Sequence, residues 1–396
     1  GGTAWAQTAP ADPASTPPGD GPRIQLAPPD EPPPPPKTTD ITVGRDQAPS
    51  LDLGSGRRIP VGSYGETHLV LQDGQNQIKL RRLVLFFGHS FADWASVYTE
   101  LEVENLTSFE IEQAYLELSP FKKLRLGVRA GLVLMPIGIV NQFHEPPTFH
   151  GVDRPVVDQL IIPTTWRELG AGFFGTIVDG LHFQAYVVQG SDGSRYTAQG
   201  GFGPGLSRGF TVNVENVAVT GRLNFTRVLG LDVGVSGYYG TGNSKDRGLD
   251  GIRVGLVEAD VRYARFGLGL RAEYARFFIS GADRITALLR TSVPSAAAVG
   301  SAGQGAYVEA AYNALYLLRR TQQEVIPFVR YDYVDPRVEL PDVPAAAATP
   351  AQHYLTAGLT YRPRLELAFK FDYRRRLSGD DALGPDRYSF GIAFMY

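Results

Sequence analysis

The side chains best suited to chemistry lie between residues 135 and 168. His144-Glu145 and His150 offer imidazole and carboxylate groups, which are ligands that zinc accepts. Their spacing is not the H-E-x-x-H pattern that places two histidines on one helix face, and two prolines interrupt the segment. We therefore predict a structural or pore-lining role for these histidines, and no metal ion or other cofactor.

Other catalytic patterns find little support. The 396 residues include no cysteine, which excludes a thiol nucleophile, a disulfide framework and a Cys-ligated metal. The glycine-rich segment 201–205 lacks the strand–loop–helix context of a phosphate-binding loop, and no G-x-S-x-G motif occurs. The sequence therefore predicts a protein that is not an enzyme. A net charge of −3 gives no reason to expect nucleic-acid binding.

Charged residues instead alternate with apolar ones along extended segments. The clearest segment runs from Leu365 to Arg374, where leucines and aromatics occupy one face and Glu366, Lys370 and Asp372 the other. A period of two predicts a strand with one apolar and one polar face. About sixteen such segments follow one another, most with about the 9–11 residues that a tilted transmembrane strand needs.

The connections between these segments alternate between short and long. Tight turns such as Asp179-Gly180 alternate with long connections such as 281–301. Outer-membrane barrels have short turns on the periplasmic side and long loops outside. We predict an all-β fold, a transmembrane antiparallel β-barrel of about sixteen strands, with apolar faces toward lipid and charged faces around a water-filled lumen. The lumen would carry Arg125, Arg129, Arg222, Arg330, Asp332, Lys370, Asp372 and Arg374.

The ends of the chain carry two further signals. Ala4-Trp5-Ala6 is an A-x-A pattern, so residues 1–6 are interpreted as a signal-peptide remnant. Residues 7–60 hold about half of the 29 prolines and predict a disordered periplasmic tether that could contact peptidoglycan or a periplasmic partner, followed by a barrel over residues 61–396.

The last segment is rich in aromatic residues. It resembles the C-terminal signal recognised by the machinery that assembles outer-membrane proteins. The residues of this predicted assembly signal are Tyr388, Phe390, Ile392, Phe394 and Tyr396.

Several strand and turn phrases between Lys79 and Gly190 recur in one family of channels. They are Lys79-Leu80-Arg81-Arg82, Phe91-Ala92-Asp93-Trp94, residues 113–118, residues 124–131, Met135-Pro136-Ile137-Gly138, residues 167–172 and Asp179-Gly180-Leu181. Together they resemble the phosphate-selective porin O/P type of outer-membrane channel. The resemblance implies a sixteen-stranded homotrimeric barrel with the loop after the fifth strand folded into the pore. The chain departs from the family in having only six lysines against 32 arginines.

The segment after the predicted fifth strand is the candidate constriction. It contributes His144, Glu145, Asp153, Arg154 and Asp158. We expect Glu145, Asp153 and Asp158 to face Arg125, Arg129 and Arg222 across the pore and to create a transverse field.

These observations predict a porin of the bacterial outer membrane. Its partners would be the lipid bilayer, two further copies of the chain and small hydrophilic or ionic solutes that diffuse passively. The alternative is a structural barrel that docks an envelope partner through its loops or its Pro-rich tail. A barrel enzyme is the remaining, less favoured reading.

Overall fold

The computed structural model describes residues 50–52, 58–121, 125–209, 214–318, 321–344, 350–378 and 385–396. All of them belong to one compact unit, Thr38–Tyr396. The predicted signal-peptide remnant, residues 1–6, and all of the predicted tether 7–60 except residues 50–52 and 58–60 lie outside the described residues.

Strands dominate the described part of the chain. The first, short strand is followed by strands that average more than ten residues. The strands are β1 (Ser50–Asp52), β2 (Arg58–Gln72), β3 (Gln75–Ala92), β4 (Ala95–Glu104), β5 (Ser108–Phe121), β6 (Leu126–Leu134), β7 (Arg167–Val178), β8 (Leu181–Gln189), β9 (Val217–Phe225), β10 (Leu231–Thr241), β11 (Arg253–Arg265), β12 (Leu268–Ser280), β13 (Ala302–Tyr312), β14 (Glu324–Glu339), β15 (Gln352–Arg364), β16 (Leu367–Ser378) and β17 (Arg387–Met395).

Sixteen of these strands, β2–β17, form a closed antiparallel barrel. Each pairs with its neighbours in sequence, and β17 pairs with β2 from Arg387↔Gln72 to Met395↔Tyr64. β1 pairs only with the beginning of β2. The predicted antiparallel barrel of about sixteen strands is confirmed.

The described parts of the connections contain two α-helices. α1 (Val157–Leu160) lies between β6 and β7, and α2 (Ala282–Ser292) lies between β12 and β13. The sequence analysis missed α2, whose Ile285 is buried under the loops. Neither helix has the length and apolar character needed to cross a membrane.

Side chains of the barrel strands alternate between an apolar outer face and a charged inner face. On β16, Phe369 and Phe371 are 42% and 36% exposed, whereas Lys370 and Asp372 are 4% and 3% exposed. A water-soluble barrel would have the opposite arrangement, because exposed apolar rows are stable only against lipid. The barrel therefore spans a membrane, and closure leaves no unpaired strand edge in the lipid.

The aromatic C-terminal strand follows the same rule. Its buried positions, such as Ser389 and Ala393, face inward. The residues of the predicted assembly signal, Tyr388, Phe390, Ile392, Phe394 and Tyr396, share the outward face.

The lengths of the connections divide the two ends of the barrel. From β6 onward, the connections 135–166, 190–216, 242–252, 281–301 and 340–351 lie at one end, and short turns such as 179–180 and 266–267 lie at the other. The longest one, residues 135–166, is called the β6–β7 loop. It follows the fifth barrel strand, as predicted.

Candidate functional site in the lumen

The β6–β7 loop is closed at its base by Asn141. The Asn141 amide donates to the carbonyls of Met135 (2.8 Å) and Trp166 (3.0 Å) and accepts from the Trp166 backbone N–H (2.6 Å). One buried side chain thus satisfies three backbone groups at the two ends of the loop, which fixes where the loop leaves the wall.

One face of the loop packs on apolar side chains that point into the barrel from β8 and β10–β14. These side chains form what we call the packed wall: Tyr186, Tyr238, Leu256, Phe277, Tyr307 and Val334. Ile161 and Val157 of the loop approach β13 so closely that a Cβ on Gly305 would lie 3.0 and 3.1 Å from their side chains. Glycine at this position therefore permits the contact.

Hydrogen bonds continue this attachment onto β14 and β16. The Lys370 ammonium donates to the carbonyls of Pro146 (2.6 Å) and Gly151 (2.9 Å). Asp372 accepts from the Val152 backbone N–H at 2.6 Å, and Asp332 accepts from that of Val156 at 2.9 Å. Lys370, Asp372 and Asp332 therefore meet the loop through its backbone, which offers polar partners that buried charges need.

A polar cavity of about 300 Å³ lies on the other side of the loop. Its opposite boundary is formed by lumen-facing residues of β2–β5, which we call the polar wall. Among the described residues, five arginines and five carboxylates line the cavity: Arg81, Arg82, Arg154, Arg167, Arg208, Glu66, Glu102, Glu104, Glu110 and Asp153. The formal charges of these ten residues balance, so together they make the cavity strongly polar without a net sign.

Ion pairs organise the polar wall. The Arg82 guanidinium lies 2.7 Å from a Glu66 carboxylate oxygen and 3.6 Å from one of Glu102. The carboxylate of Glu66 also lies 2.9 Å from His68 Nε2, and Arg167 pairs with Glu110. Such paired, buried charges can line a wet cavity without the cost of leaving an ion uncompensated.

His144 is a loop residue that faces the polar wall. Its Nε2 atom is 3.4 Å from Glu112 Oε2, 3.9 Å from Glu100 Oε1 and 2.8 Å from the Tyr64 hydroxyl. Burial lowers the pKa of His144, but the attraction of Glu112, followed by that of Glu100, outweighs it and raises the pKa to about 9. His144 therefore carries a positive charge at neutral pH in the absence of a competing cation.

His150 has the opposite character. Its Nδ1 lies 2.8 Å from the Glu309 carboxylate. Burial lowers the pKa of His150, and repulsion by the positive charges of Arg271 and Arg362 lowers it further. Attraction by Glu309 raises the pKa but does not compensate, so the pKa is about 4. This histidine is neutral at neutral pH.

Asp158 on α1 is completely buried, and neither carboxylate oxygen has a hydrogen-bond partner among the described residues. Burial raises the pKa of Asp158 well above its usual range, outweighing the attraction of Arg154. Arg154 itself donates to the His144 carbonyl at 3.3 Å. Burial and the nearby Arg82 lower the pKa of Arg154 to about 10, so it remains charged at neutral pH.

The structure corrects the partners predicted for Arg125 and Arg129. Arg125 lies in a turn, with a half-exposed side chain paired with Asp179. Arg129 pairs with Glu117 on the adjacent strand at 2.8 Å. No ion pair among the described residues joins them to a carboxylate of the loop, because each is neutralised by a nearer partner.

The other predicted lumen residues are likewise paired locally. Arg222 is held by Glu258 (3.1 Å) and Asp260 (2.5 Å). Arg330 lies 3.0 Å from Asp332, and the buried Arg374 guanidinium lies 5.2 Å from the centre of the Tyr354 ring.

The loop carboxylates Asp153 and Glu145 also have neighbours other than those predicted. Asp153 pairs with Arg387 of β17 and lies 3.7 Å from His68 of β2. Glu145 lies beside His144, where it meets Glu100 and Glu112 rather than a wall arginine.

Sequence reasoning did not single out several residues that the structure places at this site, among them Tyr64, Glu66, Arg82 and Glu112. One signal was present. Glutamates alternate on two consecutive strands, at 100, 102 and 104 and again at 110 and 112. Like charges on one face of adjacent antiparallel strands repel each other and require cations nearby.

Comparisons with known proteins place this fold. No family model matches the chain. The Salmonella typhi OmpF structure in complex with daunomycin superposes with a TM-score of 0.57 at 14% identity, over 88% of this chain and 100% of that one. The outer-membrane channel DcaP of Acinetobacter baumannii superposes with a TM-score of 0.56 at 10% identity, over 88% of this chain and 99% of that one. The anion-selective porin from Comamonas acidovorans superposes with a TM-score of 0.51 at 12% identity, over 85% of this chain and 99% of that one.

These likenesses show a porin fold. Together with the apolar exterior and the closed sheet, this fold indicates a location in the bacterial outer membrane. A protein of Aquifex aeolicus (strain VF5), described only as "Uncharacterized protein", is 30% identical over 357 residues, which are 85% of this chain and 80% of that protein. The chain therefore belongs to the same family as the Aquifex aeolicus protein, a family whose barrel has the porin fold.

Proposed function

We propose that the protein is a porin through which small hydrophilic or ionic solutes diffuse passively across the outer membrane. The observation that carries this proposal is the polar cavity between the β6–β7 loop and the polar wall, lined by five arginines and five carboxylates. In this proposal the loop sets the narrowest part of the pathway, and His144, Glu145, Asp153, Arg154 and Asp158 contribute to it from the loop side.

The loop is well suited to hold a fixed opening. It is anchored by apolar packing to Tyr307 and Val334 and by hydrogen bonds to Lys370 and Asp372. A constriction of constant size needs such an anchor, because a loose loop would close the pathway at random.

The experiment is conductance of the purified, full-length protein in a planar bilayer. We expect stable single-channel steps that disappear when the protein is heat-denatured before reconstitution. Reconstituted, folded protein that gives no conductance steps would contradict the proposal.

The channel should discriminate only weakly between anions and cations. Arginines bind phosphate bidentately, which supports the phosphate-selective type of channel, but an equal number of carboxylates lines the same cavity. We expect a reversal potential close to zero in a salt gradient and no block of chloride current by phosphate. Micromolar block by phosphate would instead support the narrower phosphate-selective assignment.

Assembly as a homotrimer belongs to this proposal. A neighbouring structure, OmpT of Vibrio cholerae, is described as a trimer form. Mass measurement of the detergent-solubilised protein tests this, and a monomer at all concentrations would contradict it.

A second candidate, a structural barrel that docks an envelope partner, is favoured by one observation. The apolar cluster that joins the loop to the packed wall fills part of the lumen with side chains such as Phe202, Phe277 and Trp166. Under this alternative the purified barrel would not conduct and would co-purify with a stoichiometric partner.

A further inference from the structure

Three buried side chains from three parts of the chain bring metal-binding atoms together. They are Glu100 on β4, Glu112 on β5 and His144 on the β6–β7 loop. Their donor atoms all lie within 4.8 Å of one another, and the three residues are 2%, 0% and 1% exposed. The sequence analysis predicted no metal here, because the candidate ligands are not neighbours in sequence.

A β-bulge explains how β5 supplies one of these ligands. The register pairs Glu100 with Gln113 and then Leu101 with Ile111, so Glu112 is the extra residue. Ile111 is exposed to lipid, whereas Glu112 is completely buried. The bulge thereby turns the Glu112 carboxylate toward the lumen next to Glu100, a common use of bulges.

Neighbouring groups hold one atom of each ligand, and the second atom of each ligand faces the centre of the cluster. Two of these central atoms, Glu112 Oε2 and His144 Nε2, also lie 2.7 and 2.8 Å from the Tyr64 hydroxyl. Gln113 donates to Glu100 Oε2 at 2.5 Å, and Thr165 donates to Glu112 Oε1 at 3.2 Å. His144 Nδ1 lies 3.3 Å from the Asn141 carbonyl. Glu100 Oε1, Glu112 Oε2 and His144 Nε2 therefore face one another, as ligands do when outer groups orient them.

The cluster also carries more negative than positive charge. Glu145 is a third carboxylate beside His144, and its buried Oε2 atom has no hydrogen-bond partner in the part of the chain that the structure describes. Arg82 of the polar wall also attracts Glu112, but its guanidinium is paired with Glu66 and Glu102. A further cation would offset this surplus, because buried charges are stable only when compensated.

We propose that Glu100, Glu112 and His144 bind a divalent first-row transition-metal cation, for which Zn²⁺ is the best match. Zinc accepts histidine nitrogen and carboxylate oxygen, and three protein ligands leave a fourth position, here next to the Tyr64 hydroxyl or a water molecule. Two ligands of a tetrahedral zinc lie ~3.4 Å apart. His144 Nε2 is 3.4 Å from Glu112 Oε2 and 3.9 Å from Glu100 Oε1, so small adjustments suffice.

The bound ion would fasten the β6–β7 loop to the polar wall, since two ligands belong to wall strands and one to the loop. Among the described residues, the apolar cluster that joins the loop to the packed wall does not include the polar-wall residues Glu100 and Glu112. The proposal is independent of solute passage, because it is tested by binding of the metal alone.

The test uses the full-length protein in detergent, stripped with a chelator and titrated with Zn²⁺ by calorimetry, with the metal content measured after dialysis. We expect about one Zn²⁺ per chain. His144→Ala should weaken binding by at least ~10-fold, and Gln113→Ala, which removes only an orienting group, by about 10-fold, the low end for an outer-shell partner.

The matched control is His150→Ala, which removes the other buried histidine of the same loop, one surrounded by arginines. It should leave Zn²⁺ affinity unchanged. If His144→Ala does not fold, judged by loss of the heat-dependent gel shift of a folded barrel, Glu100→Gln replaces it because it keeps the side-chain shape. Absence of stoichiometric Zn²⁺ in the wild-type protein, or equal loss in the His150 variant, would overturn the proposal.

Discussion

The two walls that face the β6–β7 loop differ in chemistry. The polar wall presents Arg82, Glu66 and Glu102, paired with one another beside a cavity of about 300 Å³. The packed wall presents Tyr307, Val334 and similar apolar side chains that form one buried cluster with the loop. One barrel therefore uses apolar contacts to hold a loop and ion pairs to leave space beside it.

This difference teaches how a membrane barrel can have a buried core. Its exterior is apolar because it meets lipid, so a core must be built inside the lumen from loop and wall together. The packed wall has such a core, whereas the polar wall pairs its buried charges with one another, because leaving them uncompensated would be costly. The following predictions test this contrast.

The largest expected effect follows from removing the central charge of the polar wall. Arg82→Gln leaves two buried carboxylates, Glu66 and Glu102, without their arginine. Breaking a buried pair costs about 3–5 kcal/mol, and Arg82 serves two partners. We expect a strong loss of stability in thermal unfolding and a shift of the reversal potential toward cations.

The neighbouring Arg81 is the control for Arg82. It also lines the cavity, but it is about one-third exposed and pairs with Glu104 at 3.1 Å. Arg81→Gln should change stability by no more than about 1 kcal/mol. Equal destabilisation by both variants would mean that the polar wall is not organised by the Arg82 pairs.

The next effect concerns two consecutive phenylalanines on β12. Phe277 is buried against Phe202 in the packed wall, with ring centres 5.5 Å apart, whereas Phe278 is 43% exposed on the outer face. Phe277→Ala should destabilise the protein by about 3–5 kcal/mol, since it leaves a cavity. It should also make single-channel currents noisier, because the apolar cluster that holds the loop loses a member that packs on Phe202, which itself packs on Trp166 at the end of the loop.

Phe278→Ala, on the same strand, should cost clearly less and leave the current trace unchanged. Thermal unfolding and single-channel recording of both variants provide the measurement. A larger loss for Phe278→Ala would show that lipid contact, not the internal cluster, determines stability at this position.

The two loop histidines should give opposite pH dependences in the metal-free protein. The pKa of His144, about 9, lies above its ordinary 6.5, so its stabilisation is complete below pH 6.5 and is lost as the pH rises toward 9. The pKa of His150, about 4, lies below 6.5, so stability falls as the pH decreases from 6.5 to 4.

Over these pH ranges, the titration of each histidine changes the free energy of unfolding by up to about 3 kcal/mol. In a plot of unfolding temperature against pH, we expect His144→Gln to reduce the decrease at alkaline pH. We expect His150→Gln to reduce the decrease at acid pH. Thermal scans between pH 4 and pH 10 check this. Both variants losing the same limb would contradict the difference in charge state between the two histidines.

The smallest effect is expected at Arg125, which lies in a turn away from both walls and is more than half exposed. Arg125→Gln should leave the reversal potential unchanged and alter stability by less than about 0.5 kcal/mol. A clear shift toward cations in a salt gradient would place this side chain on the solute pathway after all.

The barrel could be predicted from sequence because its signal is repeated and local. On β16 every second residue is apolar, and the same period recurs on strand after strand. The loss of this period within 78–91 correctly indicates irregular pairing, since Arg81 and Phe91 are unpaired extra residues of β3.

The period is also lost within residues 252–263, where inferring irregular pairing would be wrong. Here β11 is paired without a register shift. Its pattern changes because Val254 and Leu256 point inward into the packed wall, next to inward Glu258 and Asp260. In the sequence, an apolar side chain that points into the barrel looks the same as a bulge that turns the strand's apolar face inward. Only the position of the β6–β7 loop, which packs on the inward apolar residues, distinguishes the two cases.

The candidate site was less predictable for a related reason. The loop and many of its charged residues could be chosen by length and composition, but their partners come from strands far away in sequence. Lys370 bonds to the Pro146 carbonyl and Asp372 to the Val152 backbone N–H. Partners of this kind depend on how the barrel closes, which no local pattern encodes.

The seam between β2 and β17 has a consequence for biogenesis. Tyr64 and Met395, from nearly opposite ends of the described chain, are paired there, whereas the other ladders of the barrel join consecutive strands. The sheet therefore keeps two bare edges until β17 has been synthesised. Such edges favour aggregation before the sheet closes, and loss of β17 alone should leave the cylinder permanently open.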